Sequence, residues 1–369
     1  MRRPCRANWL IAALVVPLLG GALCTSGVLA SVVGESTSLG AAVAPVPRRL
    51  ADTGLYVAGS TSEVGAGNLP FTPQYPLWSD GATKRRWLSL PPGAAIDASN
   101  PNAWEFPRGT RLWKEFTMGR RIETRFIERV ADGTWRFATY VWNEQGTDAV
   151  LAPEDGLRAL AVASAPRGRY TVPGEADCRA CHEGAPSPVL GVGALQLSPD
   201  RDPLAPHAEV PRAGDLDLRA LVDRGWLRNL PQALLAQPPR IAAASANERA
   251  VLGYMHGNCS HCHNAAEAGA GVPVSLDLAH DVTDSVVSVE RALRSLLDKP
   301  SRFRARGAPA SAHLVVRGAA ESSVLPLRMR SRNPHVQMPP LGTDVPDAEA
   351  LALLERWINL DLKDRKDSP

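Results

Sequence analysis

Five consecutive residues, Cys259-Ser260-His261-Cys262-His263, constrain this chain more than any other feature. Two thiols three positions apart can add to the two vinyl groups of a haem. The histidine that follows the second thiol is then carried beneath the porphyrin, where its imidazole can bind the iron. A second copy, Cys178-Arg179-Ala180-Cys181-His182, stands upstream. The spacing therefore predicts two covalently attached haem c groups. Cys178 and Cys181 would tether the first, with His182 on its iron; Cys259 and Cys262 would tether the second, with His263 on its iron. Such macrocycles supply apolar core of their own, so a loop-rich chain with 32 prolines and 30 glycines can pack around them.

The other two cysteines, Cys5 and Cys24, fall in an N-terminal stretch ordered as a secretory signal is: Arg2, Arg3 and Arg6, an apolar run from Trp9 to Leu19, then Val28-Leu29-Ala30. Pro17 and Gly20-Gly21 interrupt a run already shorter than the roughly 20 apolar residues that a span requires. Cleavage after Ala30 is expected rather than an uncleaved tether, and Leu23 ahead of Cys24 argues against lipidation. An exported chain cut there has no thiol left for a disulfide. One zinc held by four cysteines competes for the two pairs, but it would not require a histidine after each. Of 41 basic residues against 38 acidic ones, three are the signal arginines. The exported charge is thus near zero, which gives no basis for nucleic-acid binding.

The fold class expected is multidomain: an N-terminal antiparallel β domain, then a mainly α, loop-rich cytochrome c region with two covalent haems. Residues 1–30 read as signal, and 31–68, small and polar without apolar period, as linker. Residues 69–172 read as the β domain, with six of the nine tryptophans between Trp78 and Trp142. Its clearest signal is a hairpin, Ile122 to Val130 and Thr134 to Trp142 around Asp132-Gly133. Tyr75 to Gly81 reads as a packed turn of that domain. Residues 173–243 hold the first haem unit and one short helix after Asp215, ended by Gly225. Residues 244–361 read as a complete cytochrome c domain. A capping box at Ser245 and Glu248 starts a helix running to about His256. Val286 to Leu297 gives another, and Asp347 starts a last one with Leu351, Leu354, Trp357 and Ile358 on one face. Residues 362–369 form a polar tail.

Residues 69–361 resemble exported di-haem c-type cytochromes that carry an N-terminal β domain. The resemblance rests on Tyr75-Pro76-Leu77-Trp78-Ser79-Asp80-Gly81, Trp113-Lys114-Glu115-Phe116, Glu123-Thr124-Arg125, Tyr140-Val141-Trp142-Asn143, both cysteine units and Gln337-Met338-Pro339-Pro340. The segment from Val316 through Ser322-Ser323-Val324-Leu325 and Arg328-Met329 to Met338 looks like the small class I-like cytochrome modules attached to many bacterial exported oxidoreductases. The resemblance implies haem and electron transfer and names no substrate.

Met338, in a loop stiffened by two prolines, is the expected ligand opposite His263, ahead of Met329. Histidine-methionine ligation would give that haem the higher potential of the two. Opposite His182, His207 is a candidate in a proline-bounded loop, with Met255, Met118 or an open position as alternatives. Arg302, Arg304, Arg328 and Arg330 are candidates to pair haem propionates, and His261 is expected to point away from its own iron. Three functions follow. The first is a periplasmic relay between an exported redox partner protein, or a membrane respiratory chain component, and an acceptor, with no membrane span in the mature chain. The second is a di-haem peroxidase or oxidase with an open first iron. The third is a β module that binds a partner or glycan with the cytochrome attached.

Overall fold

Alternation with period two builds the first half of the chain. The computed structural model describes residues 44–265, 276–303 and 312–365; the expected signal, Arg304 and the end of the polar tail lie outside the described residues. The strands up to the middle of the chain are β1 (Leu69–Pro70), β2 (Thr83–Ser89), β3 (Ile96–Asp97), β4 (Arg111–Met118), β5 (Arg120–Arg129), β6 (Trp135–Trp142) and β7 (Ala149–Leu151). Six of them form one antiparallel sheet in the order β1-β2-β4-β5-β6-β7. The β5–β6 turn is longer than a two-residue turn: Gly133 N donates to Val130 O at 2.9 Å, and Gly133, not Asp132, takes the positive φ, at 94°.

Successive side chains of a strand point to opposite faces, and the two faces of this sheet do different things. On one, Trp87, Trp113, Phe126, Tyr140 and Trp142 are buried beneath Leu50, Leu55 and Tyr56. The described part of the expected linker, residues 44–68, therefore packs onto the sheet. A 3-10 turn at Leu50–Thr53 buries Leu50 and Thr53, the Trp113 indole donates to the Thr53 hydroxyl at 2.9 Å, and the Tyr56 hydroxyl donates to Glu115 at 3.1 Å. A broad aromatic face needs a cover, and single apolar residues spaced along an irregular segment supply one without leaving a period to read.

The opposite face has two apolar ends. Leu88 and Leu112 pack with Trp104 and Phe106. Phe116, Met118 and Ile122 pack with Tyr170 and Val172 of a small antiparallel pair, β8 (Leu157–Ala161) and β9 (Arg169–Val172). Between these ends Arg86, Lys114 and Arg125 stand directly across from one another on β2, β4 and β5. Like charges so placed destabilise a sheet, so this row is not explained by folding alone.

Helices follow the sheet: α1 (Glu175–His182), α2 (Leu218–Asp223), α3 (Ala233–Ala236), α4 (Ala246–Asn258), α5 (Ser285–Leu296), α6 (Val324–Arg330) and α7 (Ala348–Arg356), with β10 (Leu227–Arg228) pairing in parallel with β3. The N-terminal antiparallel sheet followed by helices agrees with the fold class expected. The caps act locally, two of them, Ser245 and Asp347, as predicted. Ser245 accepts from Glu248 N at 3.0 Å, Asp284 from Val287 N at 3.0 Å and Asp347 from Ala350 N at 3.0 Å. Glu248 reaches back to Ala244 N, at 2.9 Å, one residue before the cap. The helix after Asp215 is capped by Asp217 instead and closes at Gly225, φ 68°. Helices α4, α5 and α7 share a core around Leu252, Leu293, Leu354 and the fully buried Trp357, whose indole donates to Glu248 at 3.2 Å.

Residues Val43–Pro369 gather as one unit, and Tyr75 to Gly81 helps to join its parts. This segment is no local turn of the sheet. The Tyr75 ring lies in the helical core and its hydroxyl donates to Asp202 at 3.1 Å. Trp78 N donates to Asn258 at 2.7 Å, and Asp80 accepts the amides of Asp344 and Val345 at 2.9 and 3.0 Å. Among the described residues no helix is long and apolar enough to cross a membrane.

Candidate functional site

The two cysteine units lie against each other. The first is a helix in its own right, α1, which the sequence did not predict. Asp177 accepts from Gly174 N at 3.0 Å, and Glu154 O accepts from Glu175 N at 2.9 Å. A Cβ on Gly174 would meet Glu154 O at 2.6 Å, so this close approach requires glycine. Helix α1 rests on the second face of the sheet. The His182 ring is 5.1 Å from that of Phe137, and the Arg179 guanidinium lies 5.5 Å from the same ring.

The second unit leaves the end of α4 as a tight loop, with His263 N donating to Cys259 O at 2.9 Å and Cys262 N to the same oxygen at 3.1 Å. Two contacts join it to the first: Asn264 Nδ2 donates to Gly184 O at 2.9 Å, and Cys262 Sγ lies 3.9 Å from Ala180 O. Residues 262–264 thus run along residues 180–184. All four cysteines are free thiols, each half-buried. Burial pushes the thiols of Cys181 and Cys259 up to about 12, with the neighbouring Cys262 adding to both. Among the described residues no group of three or more His, Cys, Asp or Glu side chains is placed to hold a bare metal ion. The four sulfurs are therefore not gathered as a tetrahedral zinc site.

The histidines of the two units differ in what holds them. His182 Nδ1 is 2.6 Å from Pro188 O, which fixes the ring and leaves Nε2 unused. Burial lowers His182 to about 4; the Pro188 carbonyl opposes this, while Lys114, His261 and Arg125 act with it. His263 Nδ1 is buried without a hydrogen-bond partner. Burial and the Arg328 guanidinium both lower its pKa. His261 is 8% exposed and lowered to about 4 by burial, with His263 and Lys114 contributing.

The candidate sixth ligands are distributed unevenly. Met338 N donates to Arg328 O at 3.0 Å, and Arg328 Nε donates to Val336 O at 2.8 Å. The Met338 loop is therefore tied to the residue whose charge reaches His263. Met329 also lies beside the second unit, in an apolar cleft between α4, α6 and α7 that Cys259, Val251, Leu325 and Leu354 line. His207 is not free to serve the first unit: Nε2 is 2.8 Å from Asp347, Nδ1 3.2 Å from Glu349, and the ring stacks 4.6 Å from Trp78. Met118 and Met255 are buried in separate apolar clusters. Arg330 pairs with Glu355 at 2.5 Å, and Arg328 lies over Phe303 at 4.8 Å.

Two residues of the site were not singled out by sequence. Lys114 projects from the sheet face beneath α1, 4.9 Å from the Phe116 ring, and its ammonium has no hydrogen-bond or ion-pair partner among the described residues. Burial and then Arg86, Lys84 and Arg125 hold it well below the usual lysine range. Its row-mates are satisfied: Arg86 forks onto Glu209 with two bonds of 3.0 Å, and Arg125 pairs with Glu123 at 2.6 Å. His261 is the other: the sequence places it inside the Cys-x-x-Cys-His spacing, where it is expected to point away from its own iron, and gives it no role in the site. In comparisons with known proteins, no family model, no curated protein and no solved structure matches the chain.

Proposed function

We propose that the chain is an exported di-haem c-type cytochrome that relays single electrons between a redox partner protein and an acceptor. The observation that carries this reading is the abutment of two Cys-x-x-Cys-His units whose four thiols are all unpaired. The donor set fits covalent haem. Each unit offers two sulfurs for the vinyl groups and one imidazole for the iron, and His182 already has the Nδ1-to-carbonyl bond that orients a metal-binding histidine and frees its Nε2. His263 offers the second imidazole; its Nδ1 is buried without a hydrogen-bond partner among the described residues. Met338 is the ligand proposed opposite His263.

The bound haems would supply reversible one-electron redox chemistry. The protein's part is to hold, orient and exclude water. The loop contacts at Asn264 and Cys262 keep the two units at a fixed separation, and the sheet beneath α1 shields the first from solvent. The signal-like N-terminus supports export, which is also where covalent haem is attached to such motifs.

Pyridine haemochrome analysis and a reductive titration of the purified protein test this. Two haems per chain, reduced in two one-electron steps and unreactive toward peroxide, are expected. Absence of covalent haem sinks the reading, and turnover of peroxide replaces it with the di-haem peroxidase.

A further inference from the structure

We propose that His261 supplies the sixth ligand to the iron held by His182. One five-residue loop would then tether one haem through its sulfurs and ligate the other through its imidazole. The inference rests on the di-haem reading above and concerns the position which that reading leaves open.

Four observations converge on His261. It is almost fully buried, at 8% exposure, although it lies on a loop whose neighbours Ser260, Cys262, His263 and Asn264 are all more exposed. Its ring nitrogens have no hydrogen-bond partner among the described residues, so neither is committed to another group. Apart from His263, assigned to the second iron, the buried or half-buried imidazoles near α4 are engaged: His256 Nδ1 accepts from His280 N at 3.1 Å, and His280 Nε2 meets Ser285 Oγ at 3.0 Å. Finally, the loop that carries His261 lies against the first unit. The loop docks there through Cys262 and Asn264 onto Ala180 and Gly184, on either side of Cys181 and His182.

The alternatives fit less well. His207 is held at both nitrogens by carboxylates, and Met118 and Met255 lie in apolar clusters. Lys114 is near as well, on the sheet rather than on the loop that docks against the first unit, and substituting each residue in turn separates it from His261. A histidine pair gives a lower potential than a histidine-methionine pair. The first haem would therefore be the reducing end of the relay and the second the oxidising end, joined through the single residue between His261 and His263.

The test uses the holoprotein with both haems attached. Pyridine haemochrome counts the haems, EPR of the oxidised protein reports spin states, and spectroelectrochemistry gives both midpoint potentials. Wild type is expected to show two low-spin irons. Fewer than two haems refutes the di-haem reading itself, whereas two haems with one already high-spin refutes only this inference. The His261→Ala variant should keep both haems and convert one iron to high-spin, and added imidazole should return it to low-spin. Two low-spin irons in that variant, or a high-spin iron that imidazole does not restore, overturns the proposal. His261→Met retains a ligand and should raise one midpoint potential; if the alanine variant does not accumulate, unchanged potentials in the methionine variant overturn the proposal equally. Lys114→Leu, which brings no ligand, should leave both irons low-spin, and loss of one there would assign the position to the amine instead.

Discussion

The Tyr75 ring lies directly on the backbone of Gly253, where an added Cβ would stand 2.0 Å from the ring's Cε1. One turn later a Cβ on Gly257 would stand 2.4 Å from Tyr75 O. Helix α4 thus presents a side-chain-free groove to the segment that ties the sheet to the helical core. Gly253→Ala should cost about 1–3 kcal/mol or more through overpacking. Tyr75→Phe keeps the ring, loses the hydroxyl's bond to Asp202 and its interaction with Arg249, and should cost about 1 kcal/mol. Urea denaturation of the two variants checks the order; an alanine variant as stable as wild type would mean that the groove is not needed.

Met338→Ala should remove the sulfur-to-iron charge-transfer band of the oxidised protein and lower one midpoint potential. Met329→Ala should do neither, with Met338 as the ligand on its loop tied to Arg328 and Met329 as a packing residue of the apolar cleft beside Cys259. Optical spectra and a redox titration of both variants decide between them, and loss of the band in Met329→Ala alone would exchange their roles.

Glu128 carries a pH dependence whose sign can be worked out. Burial raises its pKa, but Arg111 at 2.8 Å and Arg136 outweigh that and hold the carboxyl below the usual range. A carboxylate lowered in the folded state stabilises above its unfolded pKa of about 4.3, and the contribution is lost as pH falls through the lowered value. Glu128→Gln should therefore be less stable than wild type at neutral pH, and the gap should close below about pH 4. Denaturation midpoints measured across that window test it; a gap constant with pH would remove the ion pairs as its cause.

Asn264 bridges the two cysteine loops through a single amide group, which donates to Gly184 O at 2.9 Å and Ser260 O at 2.8 Å. Asn264→Ala leaves both carbonyls short of a donor and should cost about 1–3 kcal/mol. Amide hydrogen exchange in residues 178–184 should rise while that of β4 and β5 stays unchanged. Equal acceleration in the sheet would mean that Asn264 acts on the fold as a whole rather than on the contact between the loops.

What the sequence disclosed was local. Ser245 and Asp347 cap helices through bonds to residues three positions on, so each start was readable from a few neighbouring letters. Strand alternation around Gly133 was readable for the same reason. The joint at Tyr75 to Asp80 was not, because its partners are Asp202, Asn258 and Val345, far along the chain. His207 illustrates the same limit: its loop looked available, yet its nitrogens are taken by Asp347 and Glu349 from a helix start distant in sequence. The two cysteine units announce their chemistry through covalent spacing, but the burial of His261 depends on how the loops dock, which no local pattern records.

Strand β4 is used from both sides. Trp113 and Glu115 serve the aromatic face under Leu50 and Tyr56, while Lys114 and Phe116 serve the face that carries α1. The strand therefore has a parity. One residue inserted after Trp113 would send the following side chains to the wrong side, pushing Lys114 toward the aromatic cover and Glu115 toward His182. Two residues inserted there would displace them along the strand but keep each on its own side. Any length change that this sheet tolerates between Arg111 and Met118 should thus come in pairs.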